Sequence, residues 1–207
     1  PTPSSAASDV YKRQVFGREG RRECQLAVKN RTRAQASETD LWLLFAPVKK
    51  ARLDFIAQKA CEMGCSRIWP VRTDYTQVAR VNDDRMLANV IEAAEQTERL
   101  EIPEVMEFVP LEEALEACGS ERRLIFCDES AAGDVAANPV RVLGGAGSIS
   151  SAAVLIGPEG GFSDTERAMI AHRQNSLKLS LGPRILRADT AAIAALTCFQ
   201  SVCGDWT

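Results

Sequence analysis

Apolar positions along this chain change their period near Pro47. Before it, the short runs Val15-Phe16, Cys24-Gln-Leu-Ala-Val28 and Leu41-Trp-Leu-Leu-Phe-Ala46 are split by a glycine-bearing turn expected at Gly17 to Gly20 and by polar stretches. That pattern predicts hairpins. About thirty residues hold too few strands to close a barrel, so this part reads as the tail of a β domain. From Pro47 onward helical and strand spacing alternate. Leu53, Ile56, Ala57, Ala60 and Met63 fall at helical spacing, with Gly64 placed to stop the helix. Arg67-Ile-Trp-Pro-Val71 reads as a strand, and Asn82 can cap a helix whose stripe is Leu87, Val90, Ile91 and Ala94. Leu111 to Ala117 predicts a shorter helix and Leu124-Ile-Phe-Cys127 a buried strand. Residues 131–152, rich in Ala, Gly and Ser, read as a loop without chemistry of its own. Ala153-Val-Leu-Ile156, a capping box at Ser163-Asp-Thr-Glu166, the strand Leu177 to Leu181 and a helix from Thr190 to Val202, stopped at Gly204, complete the chain. The alternation implies an α/β fold with a mainly parallel sheet.

Composition narrows the class. A length of 207 residues allows one full domain and a small second one. The longest uncharged apolar runs, such as Leu41 to Val48, fall far short of the ~20 residues that span a bilayer, so no membrane segment is expected. Seven scattered cysteines without a C-x-x-C pair read as reduced core thiols of a cytosolic protein. A single histidine, His172, leaves little material for His-based metal sites or Ser-His-Asp triads, and no metal is expected. Charge is uneven: residues 1–40 hold eight Lys/Arg against five Asp/Glu, and the rest hold 17 against 23. A basic front on an acidic body fits an RNA-contacting appendage, and it also fits ordinary surface variation. Residues 1–14 lack the apolar core of a secretory signal. Ser4 to Gln14 resembles translated adapter sequence, so this segment is expected to be foreign to the fold; a flexible natural terminus is the alternative.

Two glycine-bearing turns carry the candidate chemistry: Leu155-Ile-Gly-Pro-Glu-Gly-Gly-Phe162 and Leu179-Ser-Leu-Gly-Pro-Arg-Ile-Leu-Arg-Ala-Asp-Thr190. Each follows an apolar run and opens a helix-like segment, the layout of a ligand site at the carboxyl ends of strands. Gly157, Gly160 and Gly161 permit close backbone approach and positive φ. The lysine of a phosphate loop and the G-x-G-x-x-G of a dinucleotide turn are both missing. One such turn would be a tight connection; two in adjacent units point to a cofactor site.

The two turns together resemble the signature of the bacterial small-subunit ribosomal RNA uracil-N3 methyltransferases, of the SPOUT superfamily. Resemblance extends through Phe45-Ala-Pro-Val-Lys-Lys50, Asp54-Phe-Ile-Ala-Gln-Lys-Ala60, Glu62-Met-Gly64 and Glu92-Ala-Ala-Glu-Gln96, and covers roughly residues 15–207. It implies a SPOUT methyltransferase domain over 41–207 with a C-terminal trefoil knot, preceded at 15–40 by a remnant of a PUA-like RNA-binding β-barrel. It also implies S-adenosylmethionine as methyl donor, a homodimer with the cofactor site near the subunit contact, and small-subunit ribosomal RNA or the assembled subunit as partner. The chain departs from the family in the barrel, whose first strands are replaced or lost, which bears on RNA affinity more than on cofactor binding.

By the same resemblance, groups around Leu155, Gly157, Gly160, Leu181, Gly182, Ile185 and Leu186 would enclose the cofactor. Glu159 would offset the sulfonium charge, or is simply a solvated turn residue. Arg184, Lys49 and Lys50 would meet RNA. The acceptor, the imide N3 of uracil, must lose its proton. A carboxylate of ordinary pKa, about 4.3, is a weak base for that step, and each unit of mismatch costs ~1.4 kcal/mol. The site therefore needs a carboxylate with a raised pKa, or cations that stabilise the uracil anion. Arg187, Arg184 and Arg99 are candidates for the cation; Glu95 and Asp189 are candidates for the base or for orienting the arginines. Each also has a plain alternative: an ion pair, a surface charge, or for Asp189 a cap of the last helix. Two other functions stay open, a non-catalytic RNA-binding or ribosome-assembly protein and a ribose 2′-hydroxyl methyltransferase acting on another RNA.

Overall fold

The computed structural model describes residues 10–19, 23–34 and 39–206. Strands β1 (Val10–Glu19) and β2 (Glu23–Arg33) pair antiparallel as a two-stranded sheet of their own. Gly17 lies inside β1, paired with Gln25 beside a register shift, so it marks a bulge in the strand and not the expected turn. Val10 to Gln14 also belong to β1, so the boundary expected after residue 14 does not coincide with a structural one; residues 1–9 lie outside the described set.

The remaining chain alternates strand and helix except where two short strands follow one another: β3 (Asp40–Phe45), α1 (Lys50–Glu62), β4 (Arg67–Arg72), α2 (Asp83–Gln96), the two-residue strands β5 (Glu104–Val105) and β6 (Val109–Pro110), α3 (Leu111–Cys118), β7 (Arg123–Cys127), α4 (Pro139–Gly145), β8 (Ser151–Ile156), α5 (Asp164–Ala171), β9 (Ser176–Leu179) and α6 (Ala188–Val202). These strands form one sheet in the order β5-β4-β3-β8-β7-β9, with β6 also on β4, and every pairing is parallel. β3 therefore belongs to this sheet and not with the hairpin. Both faces are covered, which is why its strands are near-continuous apolar runs. Leu41, Leu43 and Phe45 pack with residues of α1, α2, α4 and α6. Trp42 and Leu44 pack with residues of α3 and α5.

Two expected elements differ. Residues 131–152 contain α4, started by the Asn138 side chain accepting from Arg141 N and by Pro139 at the first helical position. Seven residues ending in two glycines are too short for a period to show. In α2 the buried face is Met86, Val90, Ala93 and Ala94, while Leu87 is exposed. Arg85 and Asn89 bond Asp54 and Gln58 of α1, which sets the rotation of α2. Gly64 ends α1 with φ +84°, and a Cβ there would lie 2.7 Å from the Gln200 amide nitrogen that donates to Met63 O. That partly buried bond ties α6 to the end of α1.

Candidate active site

β8 enters the sheet between β3 and β7, which both precede it, so the chain changes direction at the carboxyl end of β8. A pocket opens there among the ends of β7, β8 and β9, as expected at a switch point. The space between its lining residues, counted with the solvent it opens to, is about 560 Å³. Ile156, Leu179, Leu181, Leu186, Ala188 and Ala191 supply an apolar side. Asp128, Glu129 and Glu159 supply an acidic one.

The first turn is shaped by what lies against its glycines. A Cβ on Gly157 would sit 2.6 Å from the ring of Phe162, which is fully buried and packs edge-on against Phe126 at 5.0 Å between centroids. Gly161 has φ +67°, and a Cβ there would lie 1.5 Å from Glu129 Oε1, so the Glu129 carboxylate fills the space a side chain would take. The expected capping box follows: Ser163 Oγ accepts from Glu166 N and Glu166 accepts from Ser163 N.

The wall from β7 is a charge cluster. Asp128 accepts from the amide and hydroxyl of Ser130, from Arg167 Nε at 3.2 Å and pairs with Lys178 Nζ at 3.1 Å. Burial pushes its carboxyl up, but the Ser130 bonds and the Lys178 charge outweigh that and hold it below the usual carboxylate range. Arg167 also reaches Glu129 at 3.0 Å, so one guanidinium fixes both acids and joins α5 to the β7 wall. Beside them, burial holds the Cys127 thiol well above its ordinary range, which makes it an inert wall and not a nucleophile.

The second turn is braced by the segment read from sequence as a plain loop. Gly133 N donates to Gly182 O and Ser180 N to Ala137 O. Gly182 has φ +101° with open space on its Cβ side. Arg52 of α1 lies across from both turns, 4.0 Å from Glu159 and 3.8 Å from Asp189.

Of the expected cofactor residues, Gly157, Glu159, Leu181, Gly182, Ile185 and Leu186 line this pocket, and so does Arg184. Leu155 does not: neighbouring strand residues face opposite ways, and it packs with the α3 and α5 side while Ile156 faces the pocket. Gly160 does not line it either, and sits under Tyr75. Arg187 caps α6 without a side-chain bond to the helix, is exposed, and has no ion-pair partner among the described residues. Asp189 does not act as the cap; it pairs with Arg52 and accepts from Thr190 N. Glu95 and Arg99 lie at the other edge of the sheet. α2 runs back from the carboxyl ends, so Glu95 is near its far end, and Arg99 donates to Cys61 O and Cys65 O just before β4. Lys49 is exposed just before α1; the Lys50 side chain lies outside the described set. Sequence reading missed Asp128, Glu129, Arg167 and Arg52. An acid pair directly after the apolar run Leu124 to Cys127 was the one readable signal among them.

Residues 35–200 match the model of the RNA methyltransferase domain. The chain belongs to the RNA methyltransferase family. This methyltransferase is 29% identical over 177 residues to the ribosomal RNA small subunit methyltransferase E of Rickettsia conorii, covering 86% of the chain and 70% of that relative. It spans only 60% to 66% of further relatives of the same name. Among solved structures it is similar to the enzyme of that name from Neisseria gonorrhoeae bound to S-adenosylmethionine, with 26% identity, TM-score 0.76, 89% of this chain and 75% of that one. It is also similar to a methyltransferase of Legionella pneumophila in complex with the same cofactor, with 28% identity, TM-score 0.80, 96% of this chain and 81% of that one. The sheet of the methyltransferase is thus that of the SPOUT methyltransferase fold. Among its described residues no helix is long and apolar enough to cross a membrane, and no acid, cysteine and histidine group could hold a metal ion.

Proposed function

We propose that this methyltransferase transfers a methyl group from S-adenosylmethionine to N3 of a uridine in small-subunit ribosomal RNA. The pocket at the carboxyl ends of β7, β8 and β9, with one apolar and one acidic side, carries that reading. The adenine suits the apolar side, backbone groups of the two turns suit its edge, and Glu159, whose only ion pair among the described residues is with Arg52 at 4.0 Å, offsets the positive charge of the sulfonium, while Glu129 stays paired with Arg167. When bound, the cofactor supplies an electrophilic methyl carbon.

The chain's own part is to hold the acceptor as its anion. Asp189 is committed to Arg52 and Glu95 lies at the far edge, so neither is a free base beside the pocket within one chain. Arg187 and Arg184 are exposed on the second turn, Arg184 at the pocket, and in this reading they stabilise negative charge on uracil as its N3 proton passes to solvent. Arg52 is a positioning residue that keeps Glu159 and Asp189 together.

The same reading includes a trefoil knot, a homodimer and a cytoplasmic location. Supporting the knot, the chain after β9 bonds to the 133–137 segment and then returns as α6 to pack on α1 and β8. Ile185 is 77% exposed at the pocket rim, an apolar side chain that a second subunit would cover. Buried thiols at Cys65, Cys118 and Cys127, none of them in a disulfide, suit a reducing compartment. The β1–β2 hairpin, with Lys29 and Arg31 exposed, is read as part of a PUA-like barrel that contacts RNA. Calorimetric titration with S-adenosylmethionine tests the cofactor assignment. Saturable binding in the micromolar range is expected, and no heat of binding at several hundred micromolar removes it.

A further inference from the structure

The connection between β4 and α2 begins with a hydrogen-bonded turn at residues 73–76. Thr73 N donates to Thr76 Oγ1 at 2.9 Å, the two threonine hydroxyls bond at 2.8 Å, and Thr76 N donates back to Thr73 O. Asp74 N donates to Glu166 Oε1 at 2.9 Å, and Ser163 donates its hydroxyl to the Asp74 carboxylate. This turn is thus pinned to the capping box that follows the first glycine turn. Between these anchors Tyr75 lies over Gly160, where a Cβ would stand 3.2 Å from Tyr75 Cβ and 3.5 Å from the ring. Despite that contact Tyr75 is 51% exposed.

An aromatic ring half bare to solvent, carried on a backbone turn that is already hydrogen-bonded in place, offers a stacking platform whose backbone needs little further ordering. Its surroundings are polar: Asp74, Thr76 and Gln77 share the depression, Arg80 is exposed on the same connection, and Arg72 is exposed at the end of β4. The core of a subunit contact is instead a continuous apolar patch depleted of charge. We infer that Tyr75 stacks an unpaired base of the substrate RNA at the rim of the methyl-transfer site. Stacking reads no base edge, so this contact adds affinity for single-stranded RNA without sequence choice. The inference rests on the proposed action on RNA and adds a second point of contact to it.

The test measures binding of a uridine-rich single-stranded RNA and of unmodified small-subunit ribosomal RNA to the full chain, without cofactor, for wild type, Tyr75→Ala and Tyr75→Phe. Tyr75→Ala is expected to weaken RNA binding about tenfold and Tyr75→Phe to stay within about twofold. S-adenosylmethionine affinity, measured separately, is expected to be unchanged in both. Equal RNA affinity for wild type and Tyr75→Ala overturns the inference. So does a parallel loss of cofactor affinity, which would mean the ring only braces the turn. A changed oligomeric state with RNA affinity intact would assign Tyr75 to a subunit contact and overturn it as well. Because the RNA is bound without cofactor, a chain that stacks RNA but fails to methylate it separates this contact from the methyl-transfer reading.

Discussion

Gly157→Ala is expected to abolish measurable S-adenosylmethionine binding and to destabilise the fold by about 1–3 kcal/mol. The added methyl would fall 2.6 Å from the Phe162 ring. That ring is fully buried against Phe126 and has no free side to move to. The turn must therefore shift instead, and the turn is the pocket wall between Ile156 and Glu159. Gly161→Ala makes an informative contrast. There the nearer obstacle is the end of a flexible side chain, Glu129, which can swing aside at the expense of its pair with Arg167. Its backbone, with φ +67°, adds strain of its own. Thermal unfolding with cofactor titration reads both. Wild-type binding by a folded Gly157→Ala protein would show that the first turn is not the cofactor wall.

Arg187→Ala is expected to lower the turnover of methyl transfer about a hundredfold while leaving cofactor affinity within about twofold. The asymmetry follows from position. Arg187 lines none of the pocket, starts α6 and has no ion-pair partner among the described residues, so its removal leaves the fold and the cofactor wall intact. Arg184 lines the pocket, and its replacement is expected to affect cofactor and RNA together. Single-turnover kinetics with small-subunit RNA separates the two. Unchanged turnover in Arg187→Ala takes that residue out of the mechanism and leaves Arg184 as the cation.

Much of this site was legible before any coordinates, for local reasons. Helix starts and stops such as Gly64, Asn82 and the Ser163–Glu166 box are decided within four residues, and they stand where the sequence puts them. The two turns were legible because glycine next to proline after an apolar run has few other uses. What the sequence hid is long-range. Leu155 and Ile156 are equally apolar, and only the sheet's packing decides which faces the pocket. Gly160 reads as a cofactor glycine until Tyr75, from a different connection, is seen to lie over it. Arg167 and Arg52 are unremarkable residues in helices until α5 and α1 bring them to acids on other elements. Glu95 and Arg99 show the converse: a motif resemblance names residues but gives them no place, and the direction of α2 carries both to the opposite edge.

The methylated atom decides between a uracil-N3 and a ribose 2′-hydroxyl methyltransferase. Incubating the protein with unmodified small-subunit ribosomal RNA and isotopically labelled S-adenosylmethionine, then digesting to nucleosides for mass spectrometry, reads it directly. Label is expected in 3-methyluridine, formed by wild type and nearly lost in Arg187→Ala. Label in a ribose 2′-O-methyl nucleoside, or none at all from a protein that binds both cofactor and RNA, would contradict it.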